Sequence, residues 1–252
     1  MTSLHLTIIT GASRGMGFAI AQQLLAAGHD LLCISRKTND ALSGQASQQG
    51  RSCDQWALDL TRPENVAAKL ETWLGRHADA ALQSVTLINN AGLLPRIAAI
   101  GDIPGRELSD ALRVDLEAPM LLTGAFLRAT ANWKVQRKVL NISSGLGRRA
   151  MASQSPYCAA KAGVDHFSRC VALEQAGLPD GAKISSLAPG VIDTDMQVQL
   201  RSGDSAHFPD LANFVGLKEK GTLASPQEAA EKVLAYLARP DFGANPVADI
   251  RD

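Results

Sequence analysis

Ser144, Tyr157 and Lys161 are residues of this chain whose types and spacing suit acid–base chemistry. Tyr157 and Lys161 stand at i and i+4, which on a helix puts them on one face about one turn apart. An ammonium held near a phenol favours the phenolate and lowers the tyrosine pKa from its ordinary value of about 10. A serine hydroxyl aimed at the same point, here Ser144, could hold a carbonyl oxygen while the phenol gives it a proton. Tyr-x-x-x-Lys also arises by chance, so the spacing alone does not make a site. The surrounding elements have to bring the three groups together.

Apolar runs and helical spacing alternate along the chain. Strands are expected over 4–10, 30–35, 55–60, 85–89, 139–143, 183–187 and 247–250. Helices are expected over 18–27, from Pro63 to about His77, as one long element over 105–131, from Pro156 to about Ala176, and from Ser225 to about Ala238. Gly28 ends the first helix, and Ser225-Pro-Gln-Glu228 reads as an N-cap, an N1 proline and a capping-box glutamate. A polar, glutamine-rich helix or loop fills the stretch up to Gly50, and 193–221 reads as irregular and polar. Alternation without a linker predicts an α/β fold: one domain over 1–252, a parallel sheet and helices on both faces. Ligands of such folds lie at the carboxyl ends of the strands, where the motifs below fall.

Composition narrows the partners. The 252 residues carry 25 Lys+Arg against 25 Asp+Glu, so no basic field suggests nucleic acid or an anionic membrane. No apolar run reaches transmembrane length. MTSLHLTIITGAS lacks a positive n-region and a cleavage signal, so no signal peptide is expected. Cys33, Cys53, Cys158 and Cys170 show no metal-ligand spacing and read as small buried hydrophobes in a reducing compartment. The expectation is a soluble cytoplasmic protein with no metal site.

Thr10-Gly-Ala-Ser-Arg-Gly-Met-Gly17 joins the first strand to the first helix. Gly11, Gly15 and Gly17 allow tight turning and close backbone approach to a pyrophosphate, with Ser13, Arg14 and Met16 in the same turn. No Gly-Lys-Ser/Thr follows, which argues against a P-loop. The end of the second strand reports on the ribose. An NAD site usually carries an acid there, whereas this chain has Ser35-Arg36-Lys37. Arg36, with Arg14 and Ser35, suits a 2′-phosphate, so NADP(H) is expected over NAD(H). Asp59 and Leu60 close the third strand, where a short acid could hydrogen-bond an adenine amino group.

With these residues assembled, the chain resembles the short-chain dehydrogenase/reductase family over nearly its whole length. The resemblance rests on Thr10–Gly17, Asp59, Asn89-Asn-Ala-Gly92, Ser144, Tyr157-Cys-Ala-Ala-Lys161 and Pro189-Gly-Val-Ile-Asp-Thr194. It implies a doubly wound Rossmann-type fold with a mostly parallel seven-stranded sheet, and hydride transfer between a nicotinamide and a carbonyl or alcohol. Ser144 would hold the substrate oxygen and Tyr157 would be the general acid/base. Lys161 would bind the nicotinamide ribose. Asn90, Ala91 and Gly92 would line the cofactor, and Pro189, Gly190, Val191 and Thr194 would flank the nicotinamide. A homodimer or homotetramer is implied, with 105–131 and 156–176 as the pairing surfaces. One position departs from the family pattern: Asp115 stands where an asparagine is usual, at a helix distortion whose carbonyl serves a proton relay. Asp115 is therefore counted with the catalytic residues, and Asp115→Asn is expected to keep most activity.

The C-terminal third resembles sepiapterin reductase and its bacterial relatives, which include benzil reductases. Asp249 falls where an acid can face a substrate and could grip an amino-pyrimidine edge. Leu93, Leu94, Leu146, Met151, Met196 and Phe208 would give a mostly apolar pocket for a flat aromatic or vicinal dicarbonyl compound. A long polar stretch beside a site is usually functional, so 195–220 is expected to form a substrate lid. A 3-oxoacyl carrier-protein reductase and a non-catalytic NADP(H)-sensing protein are the alternative readings.

Overall fold

The computed structural model describes residues 4–77 and 81–252. Its strands are β1 (Leu4–Thr10), β2 (Asp30–Ser35), β3 (Cys53–Ala57), β4 (Leu82–Asn89), β5 (Gln136–Ile142), β6 (Lys183–Ala188) and β7 (Val247–Asp249). Its helices are α1 (Gly15–Ala26), α2 (Asp40–Gln48), α3 (Pro63–Gly75), α4 (Gly105–Leu112), α5 (Ala118–Ala129), α6 (Ser155–Ala176), α7 (Asp195–Arg201), α8 (Leu211–Glu219) and α9 (Pro226–Ala238). All seven strands pair parallel in the order β3-β2-β1-β4-β5-β6-β7. The order reverses between β1 and β4, and a doubly wound sheet opens its ligand crevice at that point.

Strand residues alternate between two apolar layers because successive side chains point to opposite faces. Ile8, Leu32, Val85, Leu87 and Val139 pack with Leu70, Leu122 and Phe126 of α3 and α5. Ile9, Leu31, Ile88, Leu140 and Leu187 pack with Ile20, Leu24 and Val233 of α1 and α9. Burial on both faces explains the near-continuous apolar strands. At α9 the Ser225 hydroxyl accepts from Glu228 N–H, and the glutamate accepts in return from Ser225 N–H, completing the capping box.

Four elements differ from the sequence reading. The glycine turn is already helical from Gly15, so α1 starts three residues early. β3 stops at Ala57, because the chain turns at Leu58, and Asp59 and Leu60 lie beyond the strand. The long helix is two helices joined by a π-turn over Arg113–Glu117. The stretch 193–221, read as irregular, contains α7 and α8, whose Leu200 and Phe214 give it an apolar underside. The cysteines are not uniformly buried: Cys33 is, whereas Cys170 is exposed on α6. Among the described residues, no helix is long and apolar enough to cross a membrane, and no group of side chains has a metal-binding arrangement.

Candidate active site

A cleft of about 2250 Å³ runs along the carboxyl ends of the strands, from Arg36 and Asp59 at one end to Met151 and Asp249 at the other. Its middle is built on the glycine turn. Gly11 has φ +71°, and a Cβ there would lie 2.9 Å from Ala91 Cα. Only glycine lets β1 and β4 approach so closely. Asn90 braces the turn: its Nδ2 donates to Thr10 O at 2.9 Å and Gly11 O at 3.3 Å, while the Thr10 hydroxyl accepts from Asn90 and Ala91 N–H at 3.0 Å. Ser13, Arg14, Gly15, Met16 and Gly17 line the same wall.

At its end beyond β2, the cleft is lined by Ser35, Arg36, Lys37, Asp59, Leu60 and Arg62. The Ser35 hydroxyl is buried without a hydrogen-bond partner. β2 ends without a carboxylate, and Asp30 lies at its far end. An orphaned hydroxyl beside Arg36, in a cleft that continues to the glycine turn, fits a nicotinamide dinucleotide. Asp59 accepts from its own turn, at Thr61 N–H. Arg14, which lines the cleft, is paired with Asp195 at the start of α7.

The acid–base groups come together past the end of β5. α6 carries Tyr157 and Lys161 on its buried face, 7% and 4% exposed. Lys161 Nζ lies 5.5 Å from the Tyr157 ring centre and donates to Ile142 O at 3.1 Å. Ser144 opens the turn after β5, where its hydroxyl accepts from Leu146 N–H at 3.2 Å and neighbours the phenol. Asp115, fully buried in the π-turn, lies 3.3 Å from Lys161 Nζ. Behind them, Asn89 donates to Asn141 Oδ1 at 2.8 Å and Asn141 donates to Ser168 Oγ at 2.9 Å, locking β4, β5 and α6 together.

The electrostatics depart from the sequence expectation of a lowered phenol pKa. Burial pushes the Tyr157 phenol up. Lys161 pulls it down, Asp115 pushes it up again, and the net direction is upward. Burial would lower the Lys161 ammonium, but Asp115 and Tyr157 outweigh that and hold it above the ordinary lysine value. Burial likewise raises the Asp115 carboxyl against the pull of Lys161 and Leu93 N–H. A lone lysine beside the tyrosine would have favoured the phenolate; the second, opposite charge cancels much of that.

Leu93, Leu94, Leu146, Met151 and Met196, expected to form the substrate pocket, line the opposite end of the cleft together with Phe214. Phe208 does not line it; it is buried beneath, stacked on Phe214 with ring centres 5.6 Å apart. Pro189, Gly190, Val191 and Thr194 form the wall after β6, with Gly190 at φ +86°. Asp249 also lines the cleft, but its carboxylate takes two hydrogen bonds from the Arg251 guanidinium, at 2.7 and 2.6 Å, and one from Arg251 N–H at 3.1 Å, and lies 3.8 Å from Arg148. Arg251 holds that carboxyl below the usual range, with Arg148 adding to it. The acid expected to grip a substrate is therefore already held by arginines.

Sequence reasoning missed Asp165, Gln199 and Ser153. Asp165 is buried one turn beyond Lys161 and accepts from Ser186 Oγ at 2.7 Å and Arg148 Nε at 3.1 Å. Arg148 in turn donates to Ala248 O at 2.8 Å, which ties the turn after β5 to β7. The i+4 spacing of Asp165 from Lys161 was the available signal. Gln199 donates to Leu94 O and Pro95 O and so ties α7 to the cleft wall. Ser153, in left-handed backbone at φ +62°, donates to His207 O and ties the approach to α6 to the chain between α7 and α8.

The sequence model described as short chain dehydrogenase matches residues 5–205. A benzil reductase ((S)-benzoin forming) of Bacillus cereus is 36% identical over 239 residues, covering 95% of this chain and 96% of the relative. A sepiapterin reductase of Xenopus tropicalis is 32% identical over 250 residues, covering 92% and 90%. Among solved structures, the KRED1-Pglu enzyme superposes with a TM-score of 0.80 at 27% identity, covering 97% of this chain and 99% of that one.

Proposed function

The chain belongs to the short-chain dehydrogenase/reductase family of oxidoreductases, which work with nicotinamide cofactors, and from that premise we propose that it is an NADPH-dependent carbonyl reductase acting on a ketone or vicinal dicarbonyl of sepiapterin- or benzil-like shape. The observation that carries the reading is the cluster of buried Tyr157 and Lys161 with half-buried Ser144 beside an apolar cleft wall. The NADP(H) preference is supported by Arg36, the orphaned Ser35 hydroxyl and the missing acid at the end of β2. Gly11, Ser13, Gly15, Met16, Gly17, Asn90, Ala91 and Gly92 would hold the dinucleotide, with Pro189, Gly190, Val191 and Thr194 at its far end.

When bound, the cofactor supplies the hydride. The protein's part is to hold the substrate oxygen and deliver a proton to it. Ser144 donates a hydrogen bond to the carbonyl oxygen, and Tyr157 donates a second and then transfers its proton. Preorganised donors aimed at a developing alkoxide are the main catalytic contribution in such a site. Lys161 stabilises the phenolate left behind. Leu93, Leu146, Met151 and Met196 would shape the apolar side. The segment 195–220 would close over the substrate as a lid, anchored by Gln199 and Ser153. Met120 on α5 and Leu173 on α6, 43% and 77% exposed, support pairing of copies through those helices.

Purified protein is assayed with NADPH and with NADH against sepiapterin, benzil-type diketones and acetoacetyl thioesters. The reading expects NADPH-dependent turnover of a diketone or sepiapterin. Faster turnover of the thioesters would move the substrate class, and absence of turnover with all three would overturn the enzyme reading.

A further inference from the structure

The Asp115–Lys161 pair is unusual in its placement. The π-turn between α4 and α5 inserts an extra residue into the helical ladder, and such bulges often mark functional sites. Asp115 sits within it with no solvent exposure. Its Oδ1 lies 3.3 Å from Lys161 Nζ, and its two oxygens accept from Leu93 N–H at 3.2 and 3.3 Å. A Cβ on Gly92 would lie 3.2 Å from Oδ1, so the glycine leaves room for the carboxylate. With Ile142 O as a second acceptor, the ammonium is held from two sides. Within a fully buried site, a charge pair at this distance is felt strongly by a phenol on the same helix face.

We propose that Asp115 is a positioning residue whose buried carboxylate pins Lys161 and cancels the positive charge that would otherwise draw the proton off Tyr157, biasing the site toward giving a proton, that is, toward carbonyl reduction rather than alcohol oxidation. The proposal rests on the reductase reading above. It concerns which protonation state of Tyr157 is populated and leaves the overall equilibrium untouched. The charged and titratable groups around the phenol are few. Lys161 and Cys158 share its helix, Ser144 faces it from the turn after β5, and Asp115 faces it from the π-turn. Asp165, one turn further along α6, is held by Arg148 and Ser186. Asp115 is thus the acid that meets Lys161 directly. Burial and Asp115 both push the phenol upward, in agreement with this arrangement.

The test uses the two-tyrosine content of the chain. In a Tyr236→Phe background, the absorbance change on ionisation reports Tyr157 alone. Asp115→Asn keeps the size of the side chain and an acceptor for Leu93 N–H while removing the charge. Its phenol is expected to ionise at lower pH than in the parent, and Asp115→Glu is expected to restore the parental curve. In kinetics, Asp115→Asn should move the alkaline limb of alcohol oxidation with NADP⁺ to lower pH and raise the ratio of oxidation to reduction at neutral pH several-fold. Asp115→Ser serves the same purpose should the asparagine variant fail to fold. An unchanged phenol titration and an unchanged oxidation profile would overturn the proposal. Loss of turnover with every substrate would instead overturn the reductase reading, and the phenol titration would still test Asp115.

Discussion

Gly17→Ala is the substitution whose cost the structure sets most tightly. A Cβ at Gly17 would run into the Gly11 carbonyl oxygen and Asn90 Nδ2 well inside van der Waals contact, and would lie 2.9 Å from Gly11 C. The first obstacle is backbone and cannot swing aside. The second is the amide that braces the turn at Thr10 O and Gly11 O, so moving it gives up two hydrogen bonds. Overpacking of this kind costs about 1–3 kcal/mol, and each lost hydrogen bond adds about 1 kcal/mol. A total of about 3 kcal/mol or more lowers Tm by roughly 6–12 °C for a chain of this size. It also displaces the backbone that would meet a pyrophosphate, so NADPH should give little further thermal stabilisation. Gly44→Ala is the matched control. Gly44 lies inside α2 with nothing within 4 Å of the added Cβ, so the change should stabilise by about 0.5–1 kcal/mol. Both variants are read by thermal unfolding with and without NADPH. A Gly17→Ala protein with parental Tm and a parental response to NADPH would refute the reasoning.

Two further outcomes follow from the adenosine end and from the edge of β1. Arg36→Ala should raise KM for NADPH by roughly tenfold to a hundredfold, the loss of a charge-assisted hydrogen bond, with little change for NADH; equal effects on both cofactors in steady-state assays would contradict the 2′-phosphate role. Burial, then the neighbouring His5, holds His29 down to about 4 from the ordinary 6.5, against an upward pull from Asp30. Between those values the unfolded chain binds more protons, so stability is full above about 6.5 and is lost as pH falls through about 4. His29→Asn should flatten urea-unfolding stability across that window, and an unchanged slope would show that another group is responsible.

The alternation of strand and helix was legible because parallel strands buried on both faces leave near-continuous apolar runs. The glycine turn was legible because Gly11, Gly15 and Gly17 sit together where a strand gives way to a helix. The break at Arg113–Glu117 was not visible as a break, since Val114, Leu116 and Pro119 continue an apolar pattern that a helix also produces; the odd residue there was Asp115. The helices α7 and α8 were hidden by their exposed polar sides, and their apolar contacts are made with distant residues such as Leu94 and Met151. Asp249 could be placed at the cleft from its position at the end of β7. That Arg251 and Arg148 already hold it depends on a turn and on a loop a hundred residues away. The upward direction of the Tyr157 phenol likewise needed the buried partner across from Lys161, which no local spacing reveals.

The central claim is that Tyr157 is the proton donor of an NADPH-dependent reductase. Tyr157→Phe removes one hydroxyl from a buried ring and keeps its packing against Leu94 and Met151. Turnover of the best diketone or sepiapterin substrate should fall at least a hundredfold, the usual scale of a lost general acid, while NADPH binding by fluorescence titration stays near parental affinity. A Tyr157→Phe enzyme that turns over at the parental rate would contradict the account.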